Sequence, residues 1–171
     1  MEMLLGLADG PLKGKGLALG PGVGWETLAL AEKFPQATLM GVDYDPGQVE
    51  RARLNLAARA ALVPRVEFRR GDAATLSFPA ATFDFAYELN VLHHIRGHLA
   101  AIREVRRVLK PGGRFFLQDL SRRFFLPGLR QLFPPESLFT RAELVWQLEA
   151  AGFGVESARG QAIIFIRARR R

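Results

Sequence analysis

The stretch Leu17-Ala18-Leu19-Gly20-Pro21-Gly22-Val23-Gly24 decides how the chain is read. A short apolar run ends in three glycines at alternate positions. Trp25 to Phe34 follows with apolar residues at helical spacing (Leu28, Ala31 and Phe34, with Leu30 beside them), and Pro35 stops it. A second apolar run, Thr38 to Val42, ends at Asp43, 23 positions after Gly20. Strand, glycine turn, helix, strand and acid is the order in which doubly wound α/β sheets build a nucleotide site. Turn glycines allow positive φ and let the backbone approach a ligand. An acid at the second strand end can accept hydrogen bonds from two ribose hydroxyls. Glycine-rich strand-to-helix turns also arise for steric reasons alone, so the rest of the chain must decide. The pattern does not continue as Gly-x-Gly-x-x-Gly, because the third glycine comes one residue early and position 25 is Trp. Nor does it end in the Gly-Lys-Ser/Thr of a phosphate loop.

Outward from this turn, strands and helices alternate. Asp45-Pro46-Gly47-Gln48 reads as a helix start, with an acid N-cap, proline at the first position and glutamine at the third, and the helix is expected to reach about Ala60. Val66 to Arg69 and Phe83 to Leu89 read as a third and a fourth strand. His98 to Leu109 is amphipathic through Leu99, Ile102, Val105 and Leu109, and Lys110-Pro111-Gly112-Gly113 is expected to end it and turn the chain. Arg114 to Leu120 is a fifth strand, and Ser121 to Phe139, with three prolines and many aromatics, is an irregular segment over the sheet. Thr140-Arg141-Ala142-Glu143 is a capping box for a last helix ending at Gly152. Val155 to Ala158 and Ala162 to Arg169 form a final antiparallel pair. Such alternation implies a mostly parallel sheet covered on both faces, with ligands bound beyond the carboxyl ends of its strands.

The totals narrow the class. A chain of 171 residues suits one domain spanning 1–171. No apolar run reaches the ~18 residues that span a bilayer, and the N-terminus lacks the basic start and cleavage site of a signal peptide. A bacterial-type cytoplasm is the expected location, with no membrane partner. The absence of cysteine excludes disulfides, thiolate metal sites and a cysteine nucleophile. No His/Asp/Glu cluster has metal-ligand spacing, so no metal is expected. The net charge is +7, and four of the 20 arginines lie between Arg167 and Arg171. Without those four, 20 basic residues face 17 acidic ones. The excess therefore sits largely in a basic tail, 167–171, either a solvated terminus or a grip for phosphates.

Five motifs in order make the chain resemble the class I, Rossmann-like S-adenosylmethionine-dependent methyltransferases, in particular their small-molecule branch. They are the glycine turn, Gly41-Val42-Asp43-Tyr44-Asp45-Pro46, Val66-Glu67-Phe68-Arg69-Arg70-Gly71-Asp72-Ala73, Phe83 to His94, and Val108-Leu109-Lys110-Pro111-Gly112-Gly113-Arg114. The resemblance covers about residues 14 to 167. It implies an α/β doubly wound, mostly parallel seven-stranded sheet of order 3-2-1-4-5-7-6 with strand 7 antiparallel, in a three-layer α/β/α sandwich. It implies S-adenosylmethionine as cofactor and S-adenosylhomocysteine as product. By the same resemblance Gly20, Pro21, Gly22 and Gly24 turn beside the methionine part and Asp43 holds the ribose. Tyr44 packs on the adenine, Asp72 accepts from its amino group with the Ala73 N–H nearby, and Glu88 and Leu89 lie near the methionyl portion. The family usually has an acid, one that helps place the methionine amine, where this chain has Ala18; Glu88 is the expected compensating group. Family members often carry N-terminal structure over the substrate, and here residues 1–13, with Leu4, Leu5 and Leu7, make a short lid.

Methyl transfer from a sulfonium is an in-line displacement, so alignment matters most and a base is needed only for a protonated nucleophile. His93 and His94 are the titratable pair nearest the expected methyl group and can serve as that base, or instead start the following helix. Asn90 and Asp119 are candidate substrate contacts, though either can bond the local backbone. Phe115, Phe116, Phe124, Phe125, Phe133 and Phe139 either wall an apolar pocket or belong to the core. A small-molecule acceptor is favoured. RNA gripped by the arginine tail and Arg122-Arg123, or a non-catalytic cofactor-binding or assembly role, are the alternatives. A homodimer would cover an exposed pocket edge.

Overall fold

The computed structural model describes residues 10–133 and 138–171. Seven strands run β1 Gly14–Leu19, β2 Ala37–Asp43, β3 Val66–Arg70, β4 Phe83–Leu89, β5 Leu109–Leu120, β6 Phe153–Arg159 and β7 Ile163–Arg170. They form one sheet of order β3-β2-β1-β4-β5-β7-β6. The first five are parallel, and β7 pairs antiparallel with both β5 and β6. Helices α1 Trp25–Lys33, α2 Pro46–Ala57, α3 His98–Val108 and α4 Arg141–Ala150 cover it.

The strand pleat sorts the core into two layers. Ala18, Phe85, Tyr87 and Phe116 point to the α1/α2 side, where they pack with Leu28, Ala31, Val49 and Ala52. Leu17, Leu19, Ala86, Phe115 and Leu117 point to the other side, under Ile102 and Val105 of α3 and Leu144 and Leu148 of α4. Leu12 is buried in the first layer. That part of the expected lid is therefore core, and residues 1–9 of the lid lie outside the described residues.

Local chemistry sets the element ends. Asp45 caps α2, its carboxylate accepting from the Gly47 and Gln48 N–H groups at 2.7 and 3.2 Å. Thr140 and Glu143 make the expected reciprocal capping box of α4. Helix α2 stops at Ala57, short of Ala60, and a separate 3-10 turn at Ala60–Leu62 follows. Lys110 to Gly113 also differs from expectation. It is not a turn ahead of a strand but part of β5, whose register against β4 shifts between Phe83 and Phe85. Gly113 lies against backbone, where an added Cβ would meet the Lys110 carbonyl at 2.8 Å. Lys110 reaches back to Asp84 at 2.7 Å and closes the irregularity.

The basic tail is not a tail. Arg167 to Arg170 belong to β7 between β5 and β6. Arg167 and Arg169 both pair with Glu156, at 2.9 and 2.6 Å, and Arg170 donates to the carbonyl oxygens of Arg107 and Leu109.

Candidate active site

At the carboxyl ends of β1, β2, β3 and β4 lies a cavity of about 1000 Å³. Gly20, Gly22, Asp43, Tyr44, Gln48, Asp72 and Ala73 line one side, and Leu89, Asn90, Val91, His94, Ile95 and Arg96 the other. A smaller cavity of about 170 Å³ adjoins it, sharing Gly20, Leu89 and Asn90 and adding Leu19, Pro21, Glu26, Thr27, Tyr87 and Gln118.

The glycine turn is held close to its neighbours. Gly20 takes φ +55, its N–H donates to the Val42 carbonyl at 2.8 Å, and a Cβ there would meet Val91 at 2.6 Å. Only glycine fits so near a facing side chain with that backbone. Gly24 is left-handed at φ +85 and begins α1 without lining either cavity. Asp43 ties turn to loop: its Oδ2 accepts from the Gly22 N–H at 2.9 Å and its Oδ1 from the Asp45 N–H at 3.0 Å. Each carboxylate oxygen keeps a further lone pair toward the cavity. Asp72 is exposed and accepts from the Ala74 N–H at 2.8 Å through one oxygen. Gln48, read from sequence only as a helix-start residue, contributes a buried Oε1 with no hydrogen-bond partner on the wall of the larger cavity. An unpaired buried acceptor carries a cost that a bound donor relieves.

The far wall comes from a 3-10 turn at Leu92–His94 that follows β4. Asn90, at φ +61, turns the chain there, its N–H bonded to the Gln118 carbonyl at 2.6 Å. Asparagine tolerates this left-handed backbone better than most residues, and such positions concentrate at functional sites. His94 faces the cavity, with its ring 4.0 Å centroid to centroid from His93 and 5.4 Å from Phe133. Desolvation, and secondarily the neighbouring His93, lower the His94 pKa below its ordinary 6.5; the Asp119 charge opposes this incompletely.

Not all the expected residues gather at the cavity. His93 is buried, its backbone N–H donating to Asp119 Oδ2 at 3.2 Å and its Nδ1 hydrogen-bonded to Asp119 Oδ1. Asp119 lies beneath the cavity and lines neither space, so the expectation of a direct substrate contact is corrected. Glu88 is corrected likewise. It alternates with Tyr87 and Leu89, so it projects from the opposite face of β4, fully buried, and accepts from the Val91 N–H at 2.9 Å. Burial, then the Asp119 charge, push its carboxyl well above the usual range, despite N–H donors from Val91 and Leu92. Phe115, Phe116 and Phe139 are core, Phe125 and Phe133 pack on the His93 ring, and Phe124 is half-exposed. The groups missed in sequence, Glu26, Gln48, Val91, Arg96 and Gln118, carry no signal of their own. Their spacing from the glycine turn becomes informative only once the strand order is known.

The arrangement matches known proteins. Residues 17–117 match the family model described as a methyltransferase domain. A probable S-adenosylmethionine-dependent methyltransferase of Mycolicibacterium smegmatis is 36% identical over 126 residues, covering 71% of this chain and 46% of that protein. The 27-O-demethylrifamycin SV methyltransferase of Amycolatopsis mediterranei is 42% identical over 79 residues, covering 46% of this chain and 29% of that one. The chain thus spans less than half the length of either relative. The [4+2]-cyclase SpnF has the same fold at TM-score 0.84 and 21% identity, over 99% of this chain and 79% of that one. The seven-stranded order and the matched domain agree, and the chain belongs to the family of S-adenosylmethionine-dependent methyltransferases.

Proposed function

We propose that this chain transfers a methyl group from S-adenosylmethionine to a small-molecule acceptor held against the Leu92–His94 turn, with His94 as general base. The observation that carries this reading is that His94, kept uncharged near neutral pH, lines the same cavity as Gly20, Asp43 and Asp72.

The residues present suit the cofactor. Asp43 offers the ribose hydroxyls two acceptor oxygens already oriented by the Gly22 and Asp45 N–H groups. Tyr44, exposed on the cavity wall, offers a ring face to the adenine, and Asp72 keeps an oxygen for the amino group beside the Ala73 backbone. Pro21 and Leu89 flank the amino-acid end. Bound there, S-adenosylmethionine supplies an activated methyl group on a sulfonium. There His94 would take the proton that the acceptor's nucleophilic atom gives up on methylation. His93, held by Asp119, positions His94 through the tilted contact of the two rings, and Asn90 orients the acceptor. Holding nucleophile and methyl in line supplies most of the rate enhancement, with general-base catalysis adding roughly 10²–10⁴-fold.

The amino-acid end of the cofactor is the part Glu88 was expected to serve, and Glu88 is on the wrong face for it. Methyl-labelled S-adenosylmethionine incubated with the chain and a panel of hydroxylated small molecules tests the function. Label in a small product with formation of S-adenosylhomocysteine is expected. Label in RNA alone contradicts the acceptor class. Cofactor binding without transfer to any acceptor supports a non-methylating role, a reading that the cyclase of the same fold motivates.

A further inference from the structure

The smaller cavity has one carboxylate on its wall, Glu26 in the first turn of α1. The remaining polar side chains there are neutral: Thr27, Tyr87, Asn90 and Gln118. Two of them are satisfied by each other, since the Tyr87 hydroxyl and Thr27 Oγ1 are 2.8 Å apart. The amide of Gln118 reaches Asn90 Oδ1 only at 3.4 Å. Glu26 makes no hydrogen bond or ion pair among the described residues. Its charge nonetheless reaches the floor of the cavity, adding to the burial that raises the Tyr87 hydroxyl pKa.

The acids of the larger cavity, Asp43, Asp45 and Asp72, are all at its β2 and β3 end. Glu26 lines instead the adjoining cavity, which meets the larger one at Gly20, Leu89 and Asn90. A ligand with a nucleoside at one end and an α-amino acid at the other therefore meets hydroxyl and amine acceptors at the first end and a single anion at the second. Only the ammonium of the amino acid can use that anion.

Resting on the reading that this site takes S-adenosylmethionine, we infer that Glu26 is the counter-ion of the cofactor's α-ammonium group and so fixes which end of the cofactor enters the smaller cavity. The carboxylate is open to solvent before binding, so it carries no desolvation cost in the free protein beyond that of an ordinary surface acid. On binding it gains a charge-assisted hydrogen bond. Gln118, on the wall of the same cavity, offers its amide as a neutral partner for the cofactor's carboxylate.

The test is calorimetric titration of the full chain and of Glu26→Gln with two ligands, S-adenosylhomocysteine and 5′-methylthioadenosine. The second has the adenosine and the sulfur but no amino acid. The expected result is a roughly tenfold loss of S-adenosylhomocysteine affinity in Glu26→Gln, the size of one charge-assisted contact, with 5′-methylthioadenosine binding changed less than about twofold. Unchanged S-adenosylhomocysteine binding overturns the assignment. Equal weakening of both ligands also overturns it, because Glu26 then acts on the adenosine end or on the fold. Failure of the unaltered chain to bind either ligand overturns the cofactor reading itself, and this proposal with it.

Discussion

At the residue scale the site depends on groups whose protonation is set by their surroundings. His94 has its pKa lowered below 6.5 by desolvation and by His93. A depressed pKa leaves the ring neutral above 6.5 and charged below the folded value, so the base role proposed for it would operate at neutral pH and be lost on acidification. We predict that kcat/KM falls at a pH below 6.5 with a single-proton limb, and that His94→Gln removes the limb and lowers the rate by roughly 10²–10⁴-fold. A limb that persists in the variant would assign it to another group. Residue types announced this pair, because two histidines after a strand are conspicuous. Only the structure separates them, since the 3-10 turn sends His94 to the cavity and His93 down to Asp119.

At the element scale, much of the fold was legible from spacing. The glycine turn, the Asp45 cap, the capping box at Thr140 and the Phe83–Leu89 strand all rest on local chemistry that a sequence displays. The role expected of Glu88 failed on a rule equally local. Adjacent strand residues point to opposite faces, so Glu88 and Leu89 cannot both face one cavity. Lys110 to Gly113 failed for a different reason. Proline and glycine signal a turn, but here β4 and Lys110 capture the segment as an irregular strand, a tertiary effect. The misplaced glutamate carries its own prediction. Its folded pKa is raised above the ordinary 4.5, so the folded state holds the proton more tightly than the unfolded chain. The associated stability is fully present below pH 4.5 and is lost as pH rises toward the folded pKa. Denaturant unfolding across this range should show declining stability in the unaltered chain, and Glu88→Gln should flatten the decline. Parallel curves for the two proteins would refute the buried neutral carboxyl.

At the scale of the whole molecule, the sheet joins two halves with separate tasks. β1 to β3 lead into the glycine turn, Asp43 and Asp72, the cradle proposed for the cofactor, and β4 and β5 carry the histidine wall and its buried support. β7 closes the second half, and the arginines that dominate the charge balance are built into it. Deleting Arg167 to Arg171 therefore removes strand pairings opposite Arg114, Phe115 and Phe116 along with the buried Ala168. We predict a loss of roughly 3 kcal/mol or more of unfolding free energy, about 1 kcal/mol for each ladder hydrogen bond, read by urea denaturation. Near-native stability after the deletion would mean that this strand is dispensable. The charge excess was plain in the sequence, but its placement was not, because a run of arginines at a terminus looks the same whether solvated or paired.

The most direct measurement is a calorimetric titration of S-adenosylhomocysteine into the full chain and into Asp43→Asn. Saturable binding near one per chain is expected, with a loss of about 1–3 kcal/mol in the variant, the cost of weakening a partly buried polar contact. No binding to a well-folded chain, or equal binding by both proteins, would contradict the cradle at Gly20, Gly22 and Asp43.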